Sequence, residues 1–545
     1  MLGQMMNQPL MVSSIIKHAA RNHGDQQIVS RSVEGPIHRY TYRDAHARMK
    51  QLANALRHLG INCGDRVATL AWNTYRHVEL YYAISGTGAV CHTINPRLFA
   101  EQLIYIVNHA ADRYIFVDLS FVPILEQLHT ELRQIEGYVL MTDRAHMPET
   151  TLPNVLCYEE LLSAQSDDYE WPTFDENNAA MLCYTSGTTG NPKGALYSHR
   201  STLLHALCAV ASTGKVATSS TDTFLAIVPM FHVAAWGNAY SVPIAGGKLV
   251  LPGARYDGAS LFELMDTETV TTTAGVPTIV TTLLDEMRKQ GRKPDGLANM
   301  LCGGSAPSRA LIQAFEGDYG VNFSQGWGMT ETSPIAAVNV PRKSHASLDD
   351  DARYDMKLKC GYPNFGVEAK IVSDAGERLA EDGVTTGQLG VRGPYIISGY
   401  YNDEEATAAV MDADGWFLTG DVASIDADGY ILLTDRSKDL IKSGGEWISS
   451  IDLENTVMSH NAVAEAAAIA CHHPKWEERP LLVIVLREGE NADKQDILDY
   501  LKGKIAKWWM PDDIVFVDEL PHGATGKVSK LELRKKYADY KLPTT

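Results

Sequence analysis

Apolar positions along residues 40–120 change period several times, and each change predicts an element. The segment TYRDAHARMKQLANALRHLG (41–60) carries a helical period and stops at Gly60. DRVATLAW (65–72) reads as a strand, HVELYYAISGTGAV (77–90) as a helix, and GAVCHTIN (88–95) leads into the next strand. The rhythm returns in ADRYIFVD (111–118), and from 221 in TDTFLAIVP, GGKLVLP and TTTAGVP. Strands separated by helices predict parallel α/β layers. Near the start, Ser13-Ser14 before IIKHAARNH predicts an N-capped amphipathic helix.

Between 365 and 433 the character changes to short β segments, VEAKIVS, GQLGVRG, GWFLTGDVASID and GYILLTD, punctuated by glycine turns. They predict a small β-rich subdomain. A compact piece follows Arg436: helix (IDLENTVMSH), strand (VAEAAAIAC), strand (PLLVIVLRE), helix (KQDILDYLKGKIAKW, 494–508) and strand (DIVFVDEL). The apolar pattern is interrupted at 434–438 by Asp-Arg-Ser-Lys-Asp, which places the domain boundary there. The expected fold is α/β. A large N-terminal domain (1–435) of layered α/β subdomains carries the β-rich subdomain, and a small α+β C-terminal domain spans 436–545. At 545 residues the chain is too long for one ordinary core.

Composition adds little except through charge. A net charge of −19 argues against nonspecific nucleic-acid binding and against docking on an anionic membrane. An anionic substrate must therefore be met by local positive charge. Eight cysteines are scattered with no CxxC pair, which suits a reduced protein better than a disulfide scaffold or zinc site. The N-terminus has no basic n-region, and Asn7, Gln8 and Pro9 break its apolar stretch. No apolar run reaches the ~20 residues of a transmembrane helix. The chain reads as a soluble cytoplasmic protein.

MLCYTSGTTGNPKGALYSHR (181–200) holds the strongest chemistry. An apolar strand runs into a loop with hydroxyls at Thr185, Ser186, Thr188 and Thr189, and with Gly187 and Gly190. Glycines let backbone N–H groups approach a polyphosphate, hydroxyls add donors, and Lys193 supplies a mobile positive charge. This is not a Walker A loop, because Pro192 precedes Lys193 and Gly194 follows it. GWGMTE (326–331), LTGD (418–421), TDRSKDLIKSGGEWIS (434–449) and ATGK (524–527) come later. Together, and in this order, the motifs resemble those of the adenylate-forming superfamily of acyl-CoA synthetases, peptide-synthetase adenylation domains and luciferases, over essentially the whole chain.

The resemblance implies that a carboxylate is activated with ATP and Mg2+, releasing pyrophosphate, and that AMP is then exchanged for the thiol of coenzyme A. The first step joins two anions, so cations must be aimed at the α-phosphate and the carboxylate. Lys527 matches the lysine that bridges them. Glu331 would hold the magnesium with Thr185, and Thr330 the α-phosphate. Trp327 takes the adenine-stacking position, where tyrosine is common. Tryptophan keeps the π-face and drops the hydroxyl. Asp421 and Arg436 match the ribose-holding pair, since one carboxylate suits a cis-diol. Gly303, Gly304, Ser305 and Ala306, with Gly326, Gly328 and Met329, would line the adenine and acyl sites.

In PMFHVAAWG (229–237), His232 is expected at a gate between the ATP and thiol states. Val233 and Pro334 add apolar wall, and Trp236 would shorten the cavity. Lys438 matches the hinge about which the C-terminal domain rotates. Lys442, Ser443, Gly444, Gly445, Glu446 and Trp447 would lie along the pantetheine path. In KWEERP (475–480) Glu477 replaces a common glycine, which puts a local CoA contact in doubt. The basic run Lys527, Lys530, Arg534, Lys535 and Lys536 reads most simply as a solvated helix face. The resemblance is nearest the medium-chain fatty-acid–CoA ligase branch and brings forward 3-methylmercaptopropionate, butyrate and hexanoate as acids, in a homodimer. A luciferase-like oxygenase and a stand-alone adenylation module are the alternatives on the same fold. A non-catalytic binder would be expected to lack Lys527, Glu331 or Asp421, and all three are present.

Overall fold

The computed structural model describes residues 1, 3–185, 191–212, 218–436, 438–443, 446–523 and 527–544. Among them, the expected alternation becomes two large sheets. One runs in the order Val155–Cys157, Gly137–Leu140, Asp112–Val117, Arg66–Leu70, Val90–Thr93, Ala179–Tyr184, Gly194–Ser198. Every neighbouring pair is parallel except the last, which turns back as a hairpin. The other runs Tyr362–Pro363, Ile335–Val338, Asn322–Gly328, Asn299–Gly303, Thr272–Gly275, Thr223–Ala226, Lys248–Leu251, Gln27–Arg31, Ile37–Thr41. Its interior is parallel and both edges are antiparallel.

The helix Tyr75–Gly86 is buried on all sides. Its sequence is not uniformly apolar, so each polar group needs an internal partner. Glu79 accepts from Arg48 Nε at 2.6 Å and from the Tyr158 hydroxyl at 2.6 Å. Arg76 donates to Glu34 and Glu159, each at 2.8 Å. The Tyr81 and Tyr82 hydroxyls donate to the carbonyls of Met230 and Ala239. The helix thereby fixes the loop between those residues, which becomes part of the candidate site.

An antiparallel sheet, Glu368–Val372, Gly387–Arg392, Phe417–Ile425, Ile431–Arg436, forms the β-rich unit. The C-terminal unit is a second sheet, centred on the long pair Val463–His473 and Glu477–Leu486 and covered by Ser450–Met458, Lys494–Leu501 and Lys530–Lys536. The α/β organisation with a smaller C-terminal unit is as expected.

Three local expectations are corrected. The first helix begins at Val12 with Met11 at its N-cap, so Ser13 and Ser14 lie inside it, and the Ser14 hydroxyl bonds back to the Met11 carbonyl. The helix expected over 494–508 ends at Leu501, because Gly503 takes a φ of 78° that a helix cannot continue through. The basic run is solvated only in part: Lys530 bridges Glu454 at 2.8 Å and Arg534 bridges Asp439 at 2.6 Å, whereas Lys535 and Lys536 are exposed.

The Glu79 network yields a stability prediction. Arg48→Met strands a buried carboxylate and should destabilise the protein by about 3–5 kcal/mol, whereas Arg48→Met combined with Glu79→Met should recover much of that loss. Denaturant unfolding monitored by tryptophan fluorescence checks this; a double variant no more stable than the single one would contradict it.

Candidate active site

The site is built on strand ends. Asn299–Gly303 and Asn322–Gly328 run parallel with Gly303 opposite Gly326, and Ala179–Tyr184 ends at Thr185. Ligands of open α/β sheets bind beyond such carboxyl ends. The phosphate-loop candidate leads into the strand Gly194–Ser198 and not directly into a helix. Its neck is closed by two bonds: Thr185 N–H donates to the Lys193 carbonyl at 2.9 Å, and Lys193 N–H to Thr185 Oγ1 at 3.1 Å. Ser186, Gly187, Thr188, Thr189 and Gly190 lie outside the described residues.

Glu331 is buried beside this neck of the fold. Its Oε1 accepts a hydrogen bond from the Tyr400 hydroxyl at 2.7 Å. Burial pushes its carboxyl up from the ordinary value, against the pull of the Tyr400 bond and the Arg436 charge. Thr330 is held through its carbonyl, which accepts from the Tyr197 hydroxyl at 2.5 Å. At Gly328 any Cβ would stand 1.9 Å from the Pro334 carbonyl oxygen, so only glycine permits this return of the chain.

Trp327 does more than offer a face. Its indole N–H donates to Asp421 Oδ2 at 2.9 Å, while Arg436 Nε lies 3.3 Å from Asp421 Oδ1. Asp421 and Arg436 stand opposite each other on adjacent strands, which explains the pairing. Tryptophan lacks the hydroxyl, and its N–H makes a polar contact of its own, to the Asp421 carboxylate.

Lys527 comes from the far end of the chain. The Gly523 N–H donates to the Lys527 carbonyl at 2.7 Å and His522 bridges Val528, with Lys527 set beside Gly304 of the larger domain. Gly304 has a φ of 85°, which favours glycine, and a Cβ there would be in ordinary contact, 3.5 Å from Lys527 Cε and 3.8 Å from Trp236 Cζ2. Burial, reinforced by the Arg436 charge, lowers the Lys527 ammonium to about 8. His232 is lowered to about 3 by burial and then by the charges of Lys527 and Arg97, so it is a neutral imidazole.

Val233, Ala234, Ala235 and Trp236 have φ of 42°, 52°, 52° and 54°, followed by Gly237 at 77°. This is a left-handed turn made largely of non-glycine residues, each costing roughly 1–2 kcal/mol. It persists because its flanks are over-determined. Asn73 accepts from the Met230 N–H at 2.6 Å and donates to the carbonyls of Ala226 and Val228, and the Tyr81 and Tyr82 hydroxyls hold Met230 and Ala239. The turn presses Trp236 against the strand end, where a Cβ on Gly303 would lie 3.1 Å from Trp236 Cη2. Trp236 also borders a cavity of about 20 Å³ shared with Asn238, Leu301 and Ile335.

Thus Lys527, His232, Trp236, Gly303 and Gly304 come together, and Glu331 and Trp327 are tied through Arg436 and Asp421 to the same charges. Ser305 is exposed, Ala306 half-buried, Gly326 buried and Met329 half-buried along the same two strand ends. The residues expected along the thiol path are not among them. Lys442 faces Glu477 at 3.6 Å, Ser443 accepts from Arg479 at 3.0 Å, and Trp447 is exposed on the C-terminal sheet. Lys438 is exposed beyond the strand end at Arg436. Gly444, Gly445 and the side chain of Glu446 lie outside the described residues. Glu477 sits at a φ of 67°, a left-handed position that suits the glycine it replaces. Sequence reasoning missed Tyr400, Tyr197 and Asn73, because single polar residues in loops or on buried strands leave no periodic trace.

Comparison with known proteins gives this geometry its context. The profile of the AMP-binding enzyme family matches residues 16–401, and that of the AMP-binding enzyme C-terminal domain matches 452–527. The chain belongs to the AMP-binding enzyme family. It is 48% identical over 541 residues to a 3-methylmercaptopropionyl-CoA ligase of Ruegeria lacuscaerulensis, covering 99% of each chain. It is 45% identical over 539 residues to a medium-chain-fatty-acid–CoA ligase of Ectopseudomonas oleovorans, covering 99% of this chain and 98% of that one. The crystal structure of the anthranilate CoA ligase AuaEII in complex with anthranoyl-AMP superposes with a TM-score of 0.88 at 25% identity, covering 98% and 99% of the two chains. This AMP-binding enzyme is an AMP-forming acyl-CoA synthetase, which uses ATP, Mg2+ and CoA.

The residues fit magnesium carried on a nucleotide. Glu331 is a buried hard oxygen donor raised by burial, which is the state a cation relieves. Among the described residues no cluster of three acidic, histidine or cysteine side chains forms an all-protein cage. Magnesium held by one carboxylate plus phosphate oxygens and water needs none.

The lowered Lys527 gives a pH prediction. Above about 8 the free enzyme loses this cation, so kcat/KM for ATP in pyrophosphate release should fall toward about tenfold per pH unit. Lys527→Arg should move that limb out of range, since arginine stays charged. A flat profile to pH 9.5 in the unsubstituted enzyme would contradict the assignment.

Proposed function

We propose that the enzyme ligates a short acyl acid, 3-methylmercaptopropionate foremost, to CoA through an acyl-adenylate. The observation that carries the reading is Trp236, pressed by the left-handed turn against Gly303 and Gly304 beside Lys527. A large ring there leaves the acyl chamber short and apolar. The relative named for 3-methylmercaptopropionyl-CoA supports the choice of acid. Butyrate and hexanoate are the second reading, favoured by the medium-chain relative and by an acyl wall of Val233 and Pro334 without charge.

In this reading Lys527 bridges the α-phosphate and the carboxylate, Lys193 and Thr330 hold phosphate, and Glu331 with Thr185 serves Mg2+. Trp327 stacks on adenine, and Asp421 and Arg436 hold the ribose. His232 is a neutral hydrogen-bonding gate, and its lowered pKa suits a residue that must not add charge beside Lys527. After pyrophosphate leaves, the C-terminal domain (436–545) turns about Lys438 and brings 442–447 to the site. Rotation must break the bonds by which Asp435 accepts from the Ser450 N–H and hydroxyl, both at 2.6 Å, which currently dock the two domains. The reading extends to a cytoplasmic homodimer. Eight free cysteines suit a reducing compartment, and the two-fold assembly follows from family resemblance.

The test is pyrophosphate release across C2 to C10 acids and their thioether analogues with CoA, for the enzyme and for Trp236→Ala. The unsubstituted enzyme should favour the four- to six-atom chains. Trp236→Ala should shift the optimum longer, each added buried methylene contributing about 0.8 kcal/mol. A uniform fall at every length, with no change in rank, would remove Trp236 from the acyl chamber.

A further inference from the structure

Tyr400 lies in none of the motifs read from the sequence, yet it touches both halves of the phosphate site. Its hydroxyl donates to Glu331 Oε1 at 2.7 Å, and the Lys193 ammonium stands 5.0 Å from its ring centroid. The segment that carries it is stitched to the same two places. Ile397 N–H donates to the Glu331 carbonyl at 2.9 Å, and Tyr401 N–H donates to the Gly194 carbonyl, next to Lys193, at 2.8 Å. Tyr400 N–H is itself fixed by Thr407 Oγ1 at 2.9 Å. Besides the Tyr197 hydroxyl on the Thr330 carbonyl, this segment and its tyrosine tie Glu331 to Lys193.

We propose that Tyr400 is a positioning residue for the metal–nucleotide complex. By donating to Oε1 it orients the Glu331 carboxylate and leaves Oε2 to the cation. By its π-face it holds the Lys193 ammonium over the same spot before phosphate arrives, a cation–π contact in a partly desolvated site. Metal-side and phosphate-side charges are thus set at a fixed separation by one side chain, so the site needs less rearrangement when MgATP binds. The two functions are separable: the hydroxyl serves the carboxylate and the ring serves the lysine. This inference rests on the assignment of Glu331 to Mg2+ and Lys193 to phosphate proposed above.

The experiment compares Tyr400→Phe, Tyr400→Leu, Glu331→Gln and Tyr400→Phe with Glu331→Gln, each as the full chain and each checked for unchanged thermal unfolding. The readouts are Mn2+ affinity in the presence of a non-hydrolysable ATP analogue, followed by the electron paramagnetic resonance of free Mn2+, and KM for ATP at saturating Mg2+. Tyr400→Phe should weaken Mn2+ binding roughly tenfold, the loss of one bond to a charged group, while leaving KM for ATP nearly unchanged. Tyr400→Leu should weaken Mn2+ equally and raise KM for ATP as well. In the Glu331→Gln background Tyr400→Phe should add little. If Glu331→Gln weakens Mn2+ but Tyr400→Phe does not, the positioning role is wrong and the metal assignment stands. If neither weakens it, the metal assignment fails and the proposal with it. A Tyr400→Phe that unfolds at lower temperature and loses both readouts together would mark Tyr400 as structural and overturn the proposal.

Discussion

The structure turns on one constraint: an ammonium from residue 527 must enter a chamber walled by residues from 193 to 436. The chain is strongly acidic overall, so this local cation acts against the protein's own field. Lys527 lies beside Gly304, and Asp421 lies close enough to oppose the Arg436 charge on it. The cation is held below its ordinary affinity for protons by burial and by the Arg436 charge. In the proposed role a bound polyphosphate would relieve that condition, and binding energy and catalytic alignment would come from the same charges.

Around this chamber, rigidity is built where the reaction needs geometry. The all-buried helix Tyr75–Gly86 lies between the sheets and uses Tyr81 and Tyr82 to pin a left-handed turn that no local preference would form. The strained turn in turn places Trp236. At the start of the C-terminal unit Asp435 accepts from Ser450, and Lys530 lies between Asp435 and Glu454. The rotation proposed above would exchange these charged bonds.

The α/β layers, the β-rich unit and the C-terminal strands were legible because hydrophobic period changes reliably where strands meet helices. Lys527, Glu331, Asp421 and Trp327 were nominated by the family resemblance of the motifs that hold them, and the structure sets Trp327 against Asp421 and Lys527 beside Gly304. What the sequence hid has physical reasons. The helix ending at Leu501 was overextended because Gly503 lies inside a run with apolar periodicity. Lys530 and Arg534 look like a solvated face on a helical wheel; their partners Glu454 and Asp439 are distant in sequence. The left-handed turn at Val233–Gly237 is made of non-glycine residues until its end, so no glycine signal marks it. Tyr400 lies outside the motifs read from the sequence, and its contacts to Lys193 and Glu331 exist only once the fold brings these two together.

The most direct test of the account separates the half-reactions in Lys527→Ala. Pyrophosphate exchange measures adenylation, and thioester formation from a supplied acyl-adenylate and CoA measures transfer. Removing one preorganised charge should reduce exchange by roughly 10²–10³-fold while transfer stays within a few-fold of the unsubstituted enzyme. Exchange close to that of the unsubstituted enzyme, or an equal loss in both steps, would contradict the claim that Lys527 serves the first step from the conformation described.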